Sequence, residues 1–227
     1  MVDKPSLERF MLPERVRRLY AAAARRTREL TVVLDGVHDP HNLSAVVRSV
    51  EGFGLLDLHV IETHARFGIC PKVTQGAEKW LDIHRYPAPQ ECLAVLQAQG
   101  FALWLADPDP AAVAIDKLPW EGRLALVFGN EHEGASDKMR SVAHGKFRIP
   151  MRGFSQSLNV SVAAGIVLAT GTAERERRTG SPGDLTSEEQ AALAAEWQRR
   201  SVRAAEQILA RLECGQPEGG ESLASSS

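Results

Sequence analysis

Short apolar runs alternate with helical patterns between residues 30 and 170. The run LTVVL at 30–34 and the run LALVF at 124–128 are continuous, β-branched and bounded by polar residues, which predicts buried strands. Further runs predict strands at 58–61, 101–105 and 147–150, with a weaker strand at 81–86. Because such strands are apolar on both sides, both faces of their sheet must be covered.

Segments with helical spacing separate these strands. The predicted helices cover residues 14–29, 43–53, 91–99, 136–142, 160–170 and 187–212, and residues 75–80 suit a short helix or a loop. Strands interleaved with helices predict an α/β fold, a mostly parallel sheet with helices on both faces.

Polar loops follow four of the predicted strands, after Leu34, Leu105, Phe128 and Pro150. Ligands of parallel sheets bind outside the carboxyl ends of the strands. The stretch 146–169 adds a strand, a polar loop and a helix N-terminus, which gathers backbone N–H groups in one place. The functional site is therefore predicted at this edge of the sheet.

The composition, 44% hydrophobic and 25% charged, is typical of a soluble globular chain. No apolar run is long enough for a bilayer span and the N-terminus lacks a signal-peptide core, so we expect no membrane partner. Cys70, Cys92 and Cys214 are isolated, which favours a reducing cytoplasmic location over a disulfide framework. His38 and His41 have no third ligand beside them, so we expect no metal site.

The net charge of −2 hides a basic N-terminus. Residues 1–30 carry eight positive and four negative side chains, and among the positive ones are Arg15, Arg18 and Arg25. We predict a basic helical extension at 1–29. Two interpretations of its arginines remain open, a solvated charged face and a face that contacts phosphate.

A second helical extension is predicted at 179–212, where Thr186 and Glu189 resemble a capping box. Trp197, Arg199 and Arg200 lie near its middle, and the helix is either a packed accessory helix or an RNA-facing one. Residues 213–227 are low in complexity, and we expect a disordered tail.

Asn42 and Arg48 are candidates for chemistry in the first polar loop and helix. They are six residues apart, about 120° around a helix, so both reach one site only if Asn42 stands at the helix start. We expect Arg48 to interrupt an apolar helix face and therefore to need a phosphate or carboxylate partner, with a structural ion pair as the alternative. Glu131, in the loop GNEHEG, suits a base, a substrate clamp or a loop staple.

Several common sites are absent from the sequence. No G-x-G-x-x-G follows the first strand and no G-x-x-x-x-G-K-[ST] occurs, which argues against dinucleotide and P-loop sites. Ser155 and Ser157 lack a G-x-S-x-G context, which argues against an α/β-hydrolase.

Three stretches together resemble the three motifs of the SPOUT methyltransferases of the TrmH type: HDPHNLSAVVRSVEGFG, VFGNEHEG and IPMRGFSQSLNVSVAAGIVL. The resemblance covers about residues 30–170 and implies a methyltransferase domain at 30–178. It implies a sheet with a deep C-terminal trefoil knot, S-adenosylmethionine as the cofactor, a homodimer through the knot region, and methyl transfer to a ribose 2′-hydroxyl of RNA.

The resemblance also implies residue roles. The catalytic set would be Asn42 and Arg48 from the first motif, Glu131 from the second, and Ser157 and Asn159 from the third. The cofactor would be held mostly by backbone of the strand-end loops, at Leu105, Ala106, Gly129, Asn130, Glu131, Ile149, Ser157 and Leu158. Either the substrate phosphate or a perturbed Arg48 would take the proton from the hydroxyl.

The short terminal helices resemble the branch of the family that methylates guanosine 18 in the D-loop of tRNA. We therefore expect tRNA as the partner, contacted by Arg15, Arg18, Arg25, Arg199 and Arg200. Two alternatives remain, another tRNA or rRNA nucleotide and a non-catalytic RNA-binding protein on the same fold.

Overall fold

A parallel sheet forms the centre of the larger of two units in the computed structural model, which describes residues 7–63, 66–130 and 133–213. The larger unit spans Ala24–Leu185, and the smaller one combines the segments on either side of it. Within the described residues the sheet has seven strands, β1 to β7 in chain order: Leu30–Asp35, Asp57–Ile61, Asp82–Tyr86, Ala102–Ala106, Val113–Ala114, Leu124–Gly129 and Gly145–Arg148.

The strand order is β3-β2-β1-β6-β4-β7-β5, and every neighbouring pair is parallel. The register of β1 against β6 places Leu30 opposite Leu124 and Asp35 opposite Gly129, so these two strands end together. The predicted parallel sheet is confirmed. The two-residue strand β5 was missed because it is too short to show an alternating pattern.

Helices cover both faces of this sheet, as predicted. The helices of the chain, α1 to α8, are Pro13–Ala23, Pro40–Gly52, Pro71–Thr74, Pro89–Ala98, Asp137–Val142, Val160–Thr179, Ser187–Ser201 and Ala205–Glu213. One face packs against α2 and α6, and the other against α4 and α5. The predicted helix at 160–170 continues to Thr179 and stops at Gly180, which has a positive φ of 72°.

Two predicted helices end differently in the structure. The first was expected to reach residue 29, but α1 ends at Ala23 because the residues after it belong to the edge of the larger unit. There Arg26 is buried and donates to the carboxylate and the carbonyl oxygen of Glu51. The predicted helix 187–212 is two helices, α7 and α8, separated at Ala204, whose φ is 59°.

The smaller unit contains α1, α7 and α8. Leu19, Leu193 and Trp197 are buried in it, and Leu7 packs with Leu209. The capping box of Thr186 and Glu189 is confirmed at the start of α7. In the described parts of both units, no helix combines the length and the apolar character needed to cross a membrane.

A polar cluster lies at the β3 side of the sheet. The buried His59 ring stacks on His84 at 4.8 Å between centroids, and its Nδ1 lies 2.9 Å from the Tyr86 hydroxyl. His84 Nε2 lies 2.8 Å from an Asp57 carboxylate oxygen, and Arg28 forms ion pairs with the carboxylates of Asp57 and Asp82. Burial, with the neighbouring His84 charge, lowers the pKa of His59 to about 4. The hydrogen bond to Asp57 raises the pKa of His84.

The two histidines give opposite pH dependences of stability. Because the pKa of His59 is lower in the folded than in the unfolded protein, its contribution is lost as the pH falls from about 6.5 towards 4. His84 contributes at low pH, and its contribution is lost as the pH rises through its raised folded-state pKa. We expect His59→Phe to reduce the loss of unfolding free energy between about pH 7.5 and pH 5 by on the order of 2 kcal/mol.

Denaturant unfolding at both pH values measures this difference. Equal pH dependence in the wild type and His59→Phe would contradict the assignment.

Candidate active site

A cleft with a volume of about 1090 Å³ opens at the carboxyl ends of β4, β6 and β7. It lies at the predicted edge of the sheet and is large enough for a ligand of cofactor size. Its lining includes every described residue that was expected to hold the cofactor: Leu105, Ala106, Gly129, Asn130, Ile149, Ser157 and Leu158. The structure therefore brings these residues together, and their binding role stays a prediction.

The loop after β4 supplies two carboxylates at the cleft. Asp107 accepts from the backbone N–H of Asp109 at 3.0 Å and pairs with Lys146 Nζ at 2.8 Å. Burial opposes ionisation of Asp107, but the hydrogen bonds from Lys146 and Asp109 outweigh it and lower its pKa. The charge of Asp107 is therefore already balanced within the chain.

The loop after β6 folds back on itself at a glycine pair. The backbone groups of Asn130 and Gly134 exchange two hydrogen bonds, at 3.0 and 2.8 Å. A Cβ at Gly129 would lie 2.0 Å from the carbonyl carbon of Gly134, so only glycine allows this approach. The Asn130 side chain also donates to the Gly36 carbonyl at 3.2 Å. Glu131, assigned to catalysis and cofactor binding, lies outside the described residues.

Two charged side chains fix the rest of this loop. Arg140 donates to the carbonyl oxygens of Glu133 at 2.6 Å and Ala135 at 2.7 Å. The buried Asp35, at the end of β1, accepts from the backbone N–H of Ser136 at 2.7 Å. The loop is therefore held from both sides before any ligand binds.

The first and third motifs meet at the start of α6. Asn159 is the N-cap of this helix and accepts from the backbone N–H of Ser161 at 2.9 Å. Its Nδ2 donates to Oδ1 of Asn42 at 3.0 Å. Asn42 lies in the first turn of α2, which is the position that a role at the site required of it. Ser157 and Leu158 come just before the N-cap residue Asn159 and line the cleft.

Arg48 stands apart from this pair. It is exposed on α2, off the buried face formed by residues such as Leu43 and Val47, so the expectation that it interrupts the apolar face was wrong. In the part of the chain that the structure describes, Arg48 forms no ion pair and does not line the cleft. The described residues therefore do not form the structural ion pair that was the alternative. The guanidinium of Arg48 remains available to a molecule outside the chain.

The arginines assigned to RNA are exposed, namely Arg15, Arg18, Arg25, Arg199 and Arg200. Arg200 pairs with Glu196, and Trp197 beside it is 1% exposed, so that tryptophan belongs to the core of its unit and does not face RNA. Exposure alone fits both a solvated and a phosphate-contacting face, so the RNA-binding role stays a prediction. Across 7–63, 66–130 and 133–213, no group of three or more His, Cys, Asp or Glu could hold a metal ion.

Sequence reasoning missed five charged side chains that line the cleft: Asp107, Asp109, Glu133, Arg140 and Arg148. The turn ADPDP at the end of β4 was a signal for Asp107 and Asp109, and the loop GNEHEG was a signal for Glu133. Arg140 and Arg148 had no such signal in the sequence, because each lies in an ordinary charged stretch.

The fold and the cleft define an α/β protein with a cofactor-sized site at the carboxyl edge of a parallel sheet. The chain belongs to the SpoU rRNA Methylase family, whose model matches residues 29–169.

Curated relatives extend the similarity beyond that segment. A tRNA (guanosine(18)-2'-O)-methyltransferase of Aquifex aeolicus is 33% identical over 201 residues, which cover 86% of this chain and 94% of the relative. The Thermus thermophilus protein of the same name is 34% identical over 163 residues, 72% of this chain and 83% of the relative.

Solved structures agree with this assignment. The A. aeolicus TrmH/SpoU tRNA modifying enzyme has a TM-score of 0.75 at 32% identity, covering 84% of this chain and 98% of the other. The SpoU methyltransferase AviRb from Streptomyces viridochromogenes, in complex with the cofactor AdoMet, has a TM-score of 0.59 at 26% identity, covering 65% of this chain and 60% of the other.

The close approach at Gly129 gives a direct test of the cleft. Gly129→Ala should lower the affinity for S-adenosylhomocysteine, the demethylated cofactor, by at least about tenfold, because the added methyl group forces the loop open. Calorimetric titration measures the affinity, and circular dichroism checks the fold. Gly153→Ala is the control, since a Cβ there meets nothing within 4 Å. Equal binding by both variants would show that this loop does not hold the cofactor.

Proposed function

We propose that this protein transfers a methyl group from S-adenosylmethionine to a ribose 2′-hydroxyl of tRNA, at guanosine 18 in the D-loop. The observation that carries the proposal is the length of the match to the Aquifex relative. Its 201 residues exceed the segment 29–169 of the family model, so the similarity reaches into the terminal extensions. With tRNA as the substrate, we also propose that the reaction takes place in the cytoplasm.

The residues of the cleft fit the proposed cofactor. Apolar side chains such as Leu105, Phe128 and Ile149 suit an adenine ring, while the loops after β4, β6 and β7 present backbone groups for its polar edge. We assign the remaining contacts to Gly129 and Asn130, with Ala106, Ser157, Leu158 and the undescribed Glu131 completing the set. S-adenosylmethionine supplies a methyl group on a sulfonium, a good electrophile.

The chain must therefore hold and activate the ribose hydroxyl, which is a poor nucleophile until it loses its proton. The bonded pair of Asn42 and Asn159 fixes polar groups near the mouth of the cleft, with Ser157 beside it. We assign Arg48 to the substrate phosphate and hydroxyl. A guanidinium holds its proton firmly at neutral pH and is a weak proton acceptor, so the phosphate that it binds is the favoured one. Alignment of the hydroxyl with the methyl group supplies much of the catalysis.

We propose that the active form is a homodimer in which Arg48 serves the cleft of the other copy. Two observations support this. Val162 and Ile166 of α6 are 50% and 38% exposed, and together with the exposed Ala169 they form an apolar stripe beside α2. Arg48 projects from α2 yet does not line the cleft of its own chain. A symmetric dimer through this stripe would cover the apolar side chains.

We also propose that the strands after β5 form the trefoil knot of the SPOUT fold. The supporting feature is the strand order, in which β6 inserts between β1 and β4, and β7 inserts between β4 and β5. The chain therefore returns twice to the interior of a sheet that earlier strands have begun.

Arg48 provides the first test of the proposed function. The wild type should transfer labelled methyl from S-adenosylmethionine to a tRNA transcript that contains guanosine 18. Arg48→Ala should lower the rate by at least about a thousandfold, because substrate alignment is lost, while cofactor affinity changes little. Absence of transfer by the wild type would refute the function, and full activity of the variant would refute the role of Arg48.

Mixed dimers extend the same test. A dimer of one Arg48→Ala chain and one Gly129→Ala chain has one intact site only if Arg48 acts on the partner's cleft. At a cofactor concentration too low for Gly129→Ala alone to be active, mixing the two variants should then restore activity, whereas no recovery would place Arg48 in its own chain's site.

The terminal helix α1 provides a test of tRNA binding. Arg15→Gln with Arg18→Gln should weaken tRNA binding and reduce the slope of log affinity against log salt by about 1 to 2, because phosphate contacts release counterions. Filter binding at several salt concentrations measures both values. Arg17→Gln is the matched control on the same helix, since Arg17 already pairs with Glu14 at 2.8 Å. An unchanged slope in the double variant would contradict the proposed contact.

A further inference from the structure

Arg148 is a cation of the cleft that the proposed reaction has not used. It is the last residue of β7 and lines the cleft next to Ile149. Its Nε is buried from solvent and has no hydrogen-bond partner. Within the described residues Arg148 forms no ion pair either. An arginine donor in this position requires an acceptor, and the described residues do not supply one.

Of the charged groups that line the cleft, Arg140, Asp107 and Asp109 already have partners within the chain. Arg140, the other arginine of the cleft, donates to the carbonyl oxygens of Glu133 and Ala135. Of the two carboxylates on the loop after β4, Asp107 pairs with Lys146 at 2.8 Å, and Asp109 lies 4.0 Å from the same Nζ. The cleft therefore contains one guanidinium without a partner among the described residues, and that guanidinium is Arg148.

The chemistry of the missing acceptor follows from what the cleft is proposed to hold. S-adenosylmethionine carries one anionic group, the α-carboxylate of its methionine part. A planar guanidinium matches a carboxylate with two parallel hydrogen bonds, and such charge-assisted bonds are stronger in a cleft sheltered from water. A phosphate of RNA is the other anion available, but the buried Nε favours a ligand that enters the cleft itself.

We propose that Arg148 binds the α-carboxylate of S-adenosylmethionine and so selects cofactors that carry the amino-acid group. This assignment rests on the proposed function. It makes Arg148 a residue that binds and orients the methionine part of the cofactor, while the loop backbone binds its adenosine part.

Two ligands isolate this contact. S-adenosylhomocysteine carries the amino-acid group, and 5′-methylthioadenosine has the same adenosine and sulfur without it. In calorimetric titrations Arg148→Gln should lower the affinity for S-adenosylhomocysteine by about tenfold to a hundredfold. The affinity for 5′-methylthioadenosine should stay equal to that of the wild type, which also shows that the variant is folded.

Further variants and a third ligand sharpen the test. Decarboxylated S-adenosylmethionine lacks the carboxylate but keeps the ammonium group, so Arg148→Gln should not lower its affinity. Arg148→Lys, which keeps the charge but loses the fork, should give an intermediate loss for S-adenosylhomocysteine. Arg152→Gln is the matched control, because Arg152 is exposed on the following loop and does not line the cleft. It should leave the affinity for S-adenosylhomocysteine unchanged.

Three results would overturn the assignment. Equal losses for S-adenosylhomocysteine and 5′-methylthioadenosine would assign Arg148 to the structure of the cleft. Unchanged affinity for S-adenosylhomocysteine with a raised KM for tRNA would assign it to an RNA phosphate. Failure of the wild type to bind S-adenosylhomocysteine would overturn the proposed function and this assignment with it. If the wild type binds S-adenosylhomocysteine and Arg148→Gln binds it equally well, the assignment alone is refuted.

Discussion

The site depends on one constraint, namely that helices must cover both faces of the parallel sheet. With α2 and α6 packed on one face and α4 and α5 on the other, the central strands β1 and β6 are buried along nearly their whole length, and the polar groups that can reach a ligand lie in the loops that follow the strands. The loops after β4, β6 and β7 therefore meet at one cleft. The contact of Gly129 with Gly134 and the bond between Asn42 and Asn159 then fix the loops that form it.

The sequence predicted this arrangement to the extent that each feature has a local signature. Buried strands show as short apolar runs, and the polar loops that follow them marked the edge at which the cleft lies. The strand β5 was not predicted, because two residues are too few to show an alternating pattern. The end of α1 was predicted too late in the chain, because the burial of Arg26 depends on Glu51, which is distant in sequence. Arg148 was not predicted either, because the burial of its Nε without a hydrogen-bond partner arises only in the folded sheet.

Arg48 shows a different limit of sequence reasoning. The motif predicted that it acts with Asn42, but the expected apolar helix face around it was wrong, and the folded chain leaves it exposed and outside the cleft. A helical pattern gives the direction of a side chain and not the molecule that it meets. If two copies pair through the apolar stripe of α6, the same exposure becomes the means by which one subunit completes the site of the other.

The central claim is the methylation of one ribose in tRNA, and mapping 2′-O-methylation in tRNA from cells with and without this protein tests it most directly. The account predicts a methylated ribose at guanosine 18 in the presence of the protein and an unmethylated one in its absence, with other positions unchanged. An unchanged guanosine 18, or a loss confined to ribosomal RNA, would contradict it.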